Sequence, residues 1–206
     1  MFKAPNLFAI VDHYIDELFA PEDDALTQAV AQAASAGLPS IQVSPNQGKL
    51  LYLFAKLVAA QSILEIGTLG GYSALWLARA LPESGRLITL ELDDRYADVA
   101  AASVQRAGLN GQVQIVRGDA RDTLPVIIDE ADQPFDLVFL DADKVSYPVY
   151  YDLIMRRVRS GSLILADNVV RAGKVLAPRP DDPSASAARA FNRLIAEDAR
   201  VTAKAV

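Results

Sequence analysis

The sequence predicts an α/β fold: a doubly wound, mainly parallel sheet with helices on both faces and an N-terminal helical extension. Three observations predict it. From Ser62 onward, short apolar segments alternate with amphipathic ones. The first apolar segment runs into a glycine-rich turn, Gly67-Thr68-Leu69-Gly70-Gly71. Acidic residues follow directly on the apolar segments, where an open parallel sheet receives its ligands.

Each element has its own local signal. Residues 6–19 carry Leu7, Ile10, Val11, Tyr14, Ile15 and Leu18 at helical spacing. Residues 23–36 form a second, Ala-rich helix that Gly37 and Pro39 end. Ser44, Pro45 and Gln47 form a capping box with proline at N1, which starts a third helix running to about Ala60. Ile63–Ile66 reads as a buried strand, followed by a helix over about 71–81. Arg86–Glu91 is the next strand, with a helix over about 94–107 closed by Gly108. Val113–Arg117 is a strand and 120–130 a helix. Phe135–Asp141 is a continuous apolar strand, after which Ser146 and Pro148 open a helix to about Arg159. Ser162–Ala166 is the fifth strand, and a Pro- and Asp-rich loop covers 169–183. A helix over 184–197 follows, and Val201–Val206 is expected to begin a sixth strand.

Composition narrows the chemistry. The 206 residues are 51% hydrophobic and 22% charged, which suits one globular domain. Twenty-six acids against 20 bases give a net charge of −6, which argues against general nucleic-acid binding. With no cysteine there is no disulfide, thiolate metal site or thiol nucleophile. A single histidine speaks against a multi-histidine zinc site. No apolar run approaches the roughly 20 residues of a membrane span. The N-terminal stretch has acids within it and no small-residue cleavage site, so a cytoplasmic protein is expected.

The strand ends carry the candidate site. Glycines after the first strand let the backbone turn and approach a ligand, and the next helix offers free N–H groups to it. The spacing departs from G-x-G-x-x-G, which weakens a pyrophosphate reading. Glu91 ends the second strand, where an acid can accept both ribose hydroxyls; taken alone it serves equally as a helix N-terminal charge. Asp119 ends the third strand and either reads an adenine edge or caps the next helix. Asp141 follows the fourth strand, and Asp167 and Asn168 follow the fifth. If those strands are neighbours, about 4.8 Å apart, the three oxygen donors converge. Such a set suits Mg²⁺, or another divalent cation such as Mn²⁺ or Ca²⁺, rather than zinc. Single acids at these places would merely cap helices. Lys144 beside such a cation has its charged form disfavoured and could act as a base; otherwise it is an exposed helix-start lysine.

The segments LEIGTLGGYSALWLARALP, TLELDD, RGDA, FDLVFLDADKVSYPVYYDL and LILADNVV resemble the cation-dependent class I S-adenosylmethionine O-methyltransferases, the family of catechol and caffeoyl-coenzyme A O-methyltransferases. The resemblance covers roughly residues 40–200. It implies a Rossmann-like fold, S-adenosylmethionine as cofactor and usually Mg²⁺. Position by position, it implies that Val43, Glu65, Gly67 and Ser73 line the methionine part of the cofactor. Glu91 matches the ribose acid, and Asp119 with Ala120 the adenine contacts. Asp141, Asp167 and Asn168 match the metal ligands, and Asp141 also a contact to the cofactor's amino group. Lys144 matches the general base; Tyr147 falls in the same motif, and a packing role accounts for it. The implied partner is a small aromatic acceptor with adjacent hydroxyls, in a homodimer. Residues 1–60 are then expected to cover the substrate or meet the second subunit, and 61–206 to form the cofactor- and metal-binding core.

Two departures bear on this. Arg171 stands where plant-type members often carry an aromatic residue. Arg171, Lys174 and Arg179 either hold an anionic substrate or are solvated loop charges. Relatives also continue past Val206 with a last strand that is missing from this sequence. Two other readings share the sheet: an NAD-dependent oxidoreductase, and a non-catalytic adenosyl-ligand-binding protein. Trp76 is expected in the core and His13 on the surface.

Overall fold

Alternation along the strands decides the architecture. In the computed structural model, which describes residues 7–205, five parallel strands form one sheet in the order β3-β2-β1-β4-β5. The strands are β1 (Ser62–Ile66), β2 (Arg86–Glu91), β3 (Val113–Arg117), β4 (Phe135–Leu140) and β5 (Val158–Ala166). Successive residues point to opposite faces. Ile63, Leu87, Leu137 and Phe139 therefore join one core, and Leu64, Ile66, Leu90, Val138 and Leu140 the other.

Helices cover both faces. On the first lie α2 (Asp24–Ser35), α3 (Pro45–Leu57), α4 (Tyr72–Ala80) and α5 (Asp94–Arg106), which contribute Leu26, Leu51, Leu75 and Val104 to its core. On the second lie α6 (Ala120–Glu130), α7 (Tyr147–Ile154) and α8 (Pro183–Glu197), contributing Leu124, Tyr151 and Phe191. The N-terminal α1 (Leu7–Phe19) buries no residue fully. It is tied to α3 where Asp16 accepts a hydrogen bond from the Asn46 amide at 2.9 Å. His13 is exposed and lies 3.4 Å from Glu17, and Trp76 is buried in the first core, both as expected.

The local signals hold at most helix starts. Ser44 accepts from the Gln47 amide at 3.2 Å and the Gln47 side chain accepts from the Ser44 amide at 2.9 Å, closing the capping box. The third helix ends at Leu57 rather than near Ala60, because Ala59 takes a left-handed conformation at φ +49°.

Two larger differences fall at the C-terminal side. The expected helix to Arg159 stops at Ile154, and β5 begins at Val158. Tertiary partners pull this arginine-rich stretch into extended form. Arg157 donates to the Ile128 carbonyl at 2.6 Å, its own carbonyl accepts from the Phe135 amide at 2.8 Å, and Arg159 pairs with Asp136 at 2.6 Å. The register then slips between Phe135↔Val158 and Leu137↔Leu163, with Gly161 at φ +91° taking up the extra residues as a bulge. The expected sixth strand does not form: Val201–Ala205 are irregular, and Val206 lies outside the described residues. Asp198 binds Tyr151 and Arg200 and turns the chain there, its carbonyl accepting from the Val201 amide at 3.3 Å. Within the expected loop 169–183, Arg171–Leu176 form short turns broken by a kink at Ala172 (φ +51°) and Gly173 (φ +82°).

The strand order reverses at β1 and β4, which opens a crevice at their carboxyl ends. Gly67 leaves β1 at φ +102°, and a Cβ there would lie 2.2 Å from the Asp141 carbonyl oxygen. Gly67→Ala is expected to destabilise the protein by about 2–4 kcal/mol, through backbone strain plus a clash with backbone that cannot move aside. Urea unfolding of the two proteins measures it, and equal midpoints would refute it.

Candidate functional site

A cavity of about 740 Å³ lies over the strand ends at that crevice. The loop after β1 supplies Gly67 and the start of α4 supplies Ser73; Glu91 closes β2. Asp119 and Ala120, at the start of α6, form the wall beyond β3. Asp141, Lys144 and Asn168 line the side toward β4 and β5, and Val43 the side toward α3.

Glu91 has a structural task as well. Its Oε2 accepts from the amides of Leu69 at 2.7 Å and Thr68 at 3.2 Å, and its Oε1 from Asp93 at 2.9 Å. One carboxylate thus ties the glycine-rich turn to the end of β2. Asp119 is both cap and wall: it accepts from the Arg121 amide at 2.8 Å and pairs with the Arg121 side chain. The Arg121 guanidinium holds its carboxyl down at about 2.

Glu65 sits beneath this wall rather than on it and is fully buried. Its Oε2 accepts from the Thr89 hydroxyl at 2.6 Å, which lies 2.5 Å from the Thr68 hydroxyl. Its Oε1 is buried with no hydrogen-bond partner. Burial pushes this carboxyl up to about 7, and the nearby charges of Asp141 and Glu91 push the same way, against the nearby Ser73 hydroxyl and the Thr89 hydrogen bond. A cationic group arriving in the cavity would relieve that arrangement, so the site fits a ligand with positive charge.

The acids of β4 and β5 are adjacent, as their strand positions require. The Asp141 amide donates to Ile66 and the Asp167 amide to Leu140, each at 2.9 Å, so both residues extend the ladder by one step. Burial raises the Asp141 carboxyl above its usual range, Asp167 adds to the rise, and Lys144 opposes both. Asn168 is left-handed at φ +54°, and its amide donates to Asp167 Oδ1 at 2.6 Å. No group of three His, Cys, Asp or Glu side chains is placed to hold a metal among the described residues. A cation here therefore needs the Asn168 amide oxygen as third donor beside the two carboxylates. Such an all-oxygen set fits Mg²⁺-like ions, with water and ligand completing the shell.

Lys144 is only 6% exposed. Its Nζ donates to Tyr147 Oη at 2.7 Å, the Ala142 carbonyl at 3.0 Å and Asp141 Oδ1 at 3.1 Å. Tyr147 Oη in turn donates to the Leu140 carbonyl at 2.7 Å. Tyr147 is thus a positioning residue for Lys144 and not only packing. Its three-residue spacing from Lys144 was the available signal. Thr68 and Thr89 have no sequence signal, because only strand register brings them together.

Asp167 lines a second cavity of about 730 Å³, which shares Val43, Asn168 and Arg171 with the first. Leu50, Phe54, Phe139 and Val170 give it an apolar wall.

Residues 16–206 match the family model described as O-methyltransferase. A catechol O-methyltransferase of Niastella koreensis is 51% identical over 198 residues, covering 96% of this chain and 90% of the relative. A catechol O-methyltransferase of Mycobacterium tuberculosis is 44% identical over 196 residues, covering 95% and 87%. The crystal structure of an O-methyltransferase from Bacillus cereus in complex with SAH superposes with a TM-score of 0.90 at 43% identity, covering 94% of this chain and 88% of that one.

The folded protein holds on Glu65 a proton that the unfolded chain releases between its ordinary 4.5 and about 7. Stability without ligand therefore falls as pH rises through that window and levels off above it. Glu65→Gln should flatten this fall and be more stable than the parent at pH 8 by about 1–3 kcal/mol. Denaturant titrations at pH 5 and pH 8 measure both, and parallel pH profiles would refute the assignment.

Proposed function

This chain belongs to the O-methyltransferase family and is an S-adenosylmethionine-dependent O-methyltransferase; on that premise we propose that it methylates one hydroxyl of a catechol-like, vicinal dihydroxy aromatic molecule with the help of a divalent cation. The observation that carries the proposal is the meeting of Asp141, Asp167, Asn168 and Lys144 at the ends of two adjacent strands. The relatives at 51% and 44% identity are catechol O-methyltransferases, which supports the acceptor class.

In this proposal Val43, Gly67 and Ser73 bound the methionine part of the cofactor, with the Glu65 carboxylate behind them. Glu91 accepts the ribose hydroxyls with lone pairs left over from the backbone amides it already binds. Asp119 and Ala120 flank the adenine. Asp141, Asp167 and Asn168 would hold the cation beside the acceptor's hydroxyls. When bound, the cation supplies positive charge that favours an ionised hydroxyl. With a divalent charge beside it, the Lys144 ammonium first gives one proton to solvent; its Nζ then takes the proton that the hydroxyl loses, while Tyr147 Oη and the Ala142 carbonyl keep the nitrogen in place. The acceptor oxygen forms the new bond to the methyl carbon as the carbon–sulfur bond breaks, leaving a methyl ether and a neutral thioether. The apolar walls keep water from competing and hold the reactants in line. We also place a homodimer in this proposal, with α1 as its contact, because Ile10, Tyr14 and Leu18 are at least half exposed there.

Turnover with S-adenosylmethionine and catechol should collapse on chelation and return with Mg²⁺. Asp141→Ala should lose activity and metal response together. Lys144→Met should lower kcat by about 10²–10⁴-fold. Undiminished turnover in metal-free buffer would overturn the proposal.

A further inference from the structure

Three cations stand on the segment after β5, and the structure separates them. Lys174 pairs with Asp182 at 3.3 Å, and Arg179 with Asp181 at 3.1 Å. Arg171 makes no ion pair among the described residues, and its Nε is buried with no hydrogen-bond partner. Asp182 feels the Arg171 charge, but its oxygens are taken by Lys174 and the Ala185 amide.

The place of Arg171 matters as much as its lack of a partner. It follows Asn168 by three residues and is itself left-handed at φ +51°. It lines both cavities, at the point where they meet. In the second cavity the bases Arg171, Lys174 and Lys204 face one acid, Asp167, which the cation would engage. A desolvated guanidinium N–H without an acceptor is unfavourable, and a planar carboxylate matches its fork of donors.

We propose that Arg171 selects the acceptor: it pairs with a carboxylate on the dihydroxy ring, so the substrate class is a dihydroxyaromatic acid rather than a neutral catechol. This rests on the catechol-like reading above. The two hydroxyls lie at the Asp167–Asn168 end, and the carboxylate reaches the unpaired guanidinium. Lys174 and Arg179 take no part, because their charges are already balanced.

The probes are 3,4-dihydroxybenzoate and catechol, with Mg²⁺ present throughout. Their affinities are measured by calorimetry in S-adenosylhomocysteine, and their kcat/KM values in S-adenosylmethionine. The unmodified protein should favour the acid by roughly tenfold or more in both measurements. Arg171→Gln should abolish that preference, whereas Arg179→Gln, exposed and outside both cavities, should keep it. Equal preference in the unmodified protein, a preference that survives Arg171→Gln, or no binding of either diol would overturn the proposal. If the acid binds through Arg171 but neither diol is methylated, the reaction proposed above fails while the selectivity stands.

Discussion

Where β1 leaves the sheet, Gly67 passes so close to the Asp141 carbonyl that a single methyl group would not fit between them. That contact sits at the reversal of strand order, and both of its residues line the first cavity. On one side the chain turns through glycines into α4, tied down by the Glu91 carboxylate. On the other, β4 delivers Asp141 and then Lys144 within one turn. Parallel pairing with β5 brings Asp167 and Asn168 alongside. Side chains distant in sequence are therefore neighbours because backbone ladders end at the same level.

The electrostatics follow from that crowding. Glu65, Glu91, Asp141 and Asp167 gather near the strand ends, where burial raises the carboxyls of Glu65 and Asp141 and the like charges push the same way. Lys144 offsets part of this from within the fold. The rest is left to be balanced by what binds, which suits a sulfonium cofactor and a divalent ion better than a neutral ligand. The surplus negative charge of the chain is thus in part a property of its site.

Most of the fold was legible because its signals are local. The apolar strand runs, the Ser44 capping box and Gly108 act through nearest neighbours, and the elements they predict are present within a few residues. The order of the candidate site residues was legible for the same reason, since strand ends place them. What the sequence hid depends on distant partners. Arg156, Arg157 and Arg159 have good helix propensity, yet bonds to Ile128, Phe135 and Asp136 take the chain out of α7 and draw Arg159 into β5. The Tyr147 hydroxyl reads as packing until the Leu140 carbonyl and Lys144 lie on either side of it. The difference between Arg171 and its two basic neighbours is invisible without the pairing of Asp181 and Asp182.

The three acceptors around Lys144 Nζ have a cost that falls at a particular moment. A free lysine side chain gives up about 1.5–2 kcal/mol of conformational freedom when it is fixed. Here Tyr147, Ala142 and Asp141 exact that loss once, as the chain folds. Nothing of it remains to be lost when the cavity is filled, so the amine stands ordered beforehand.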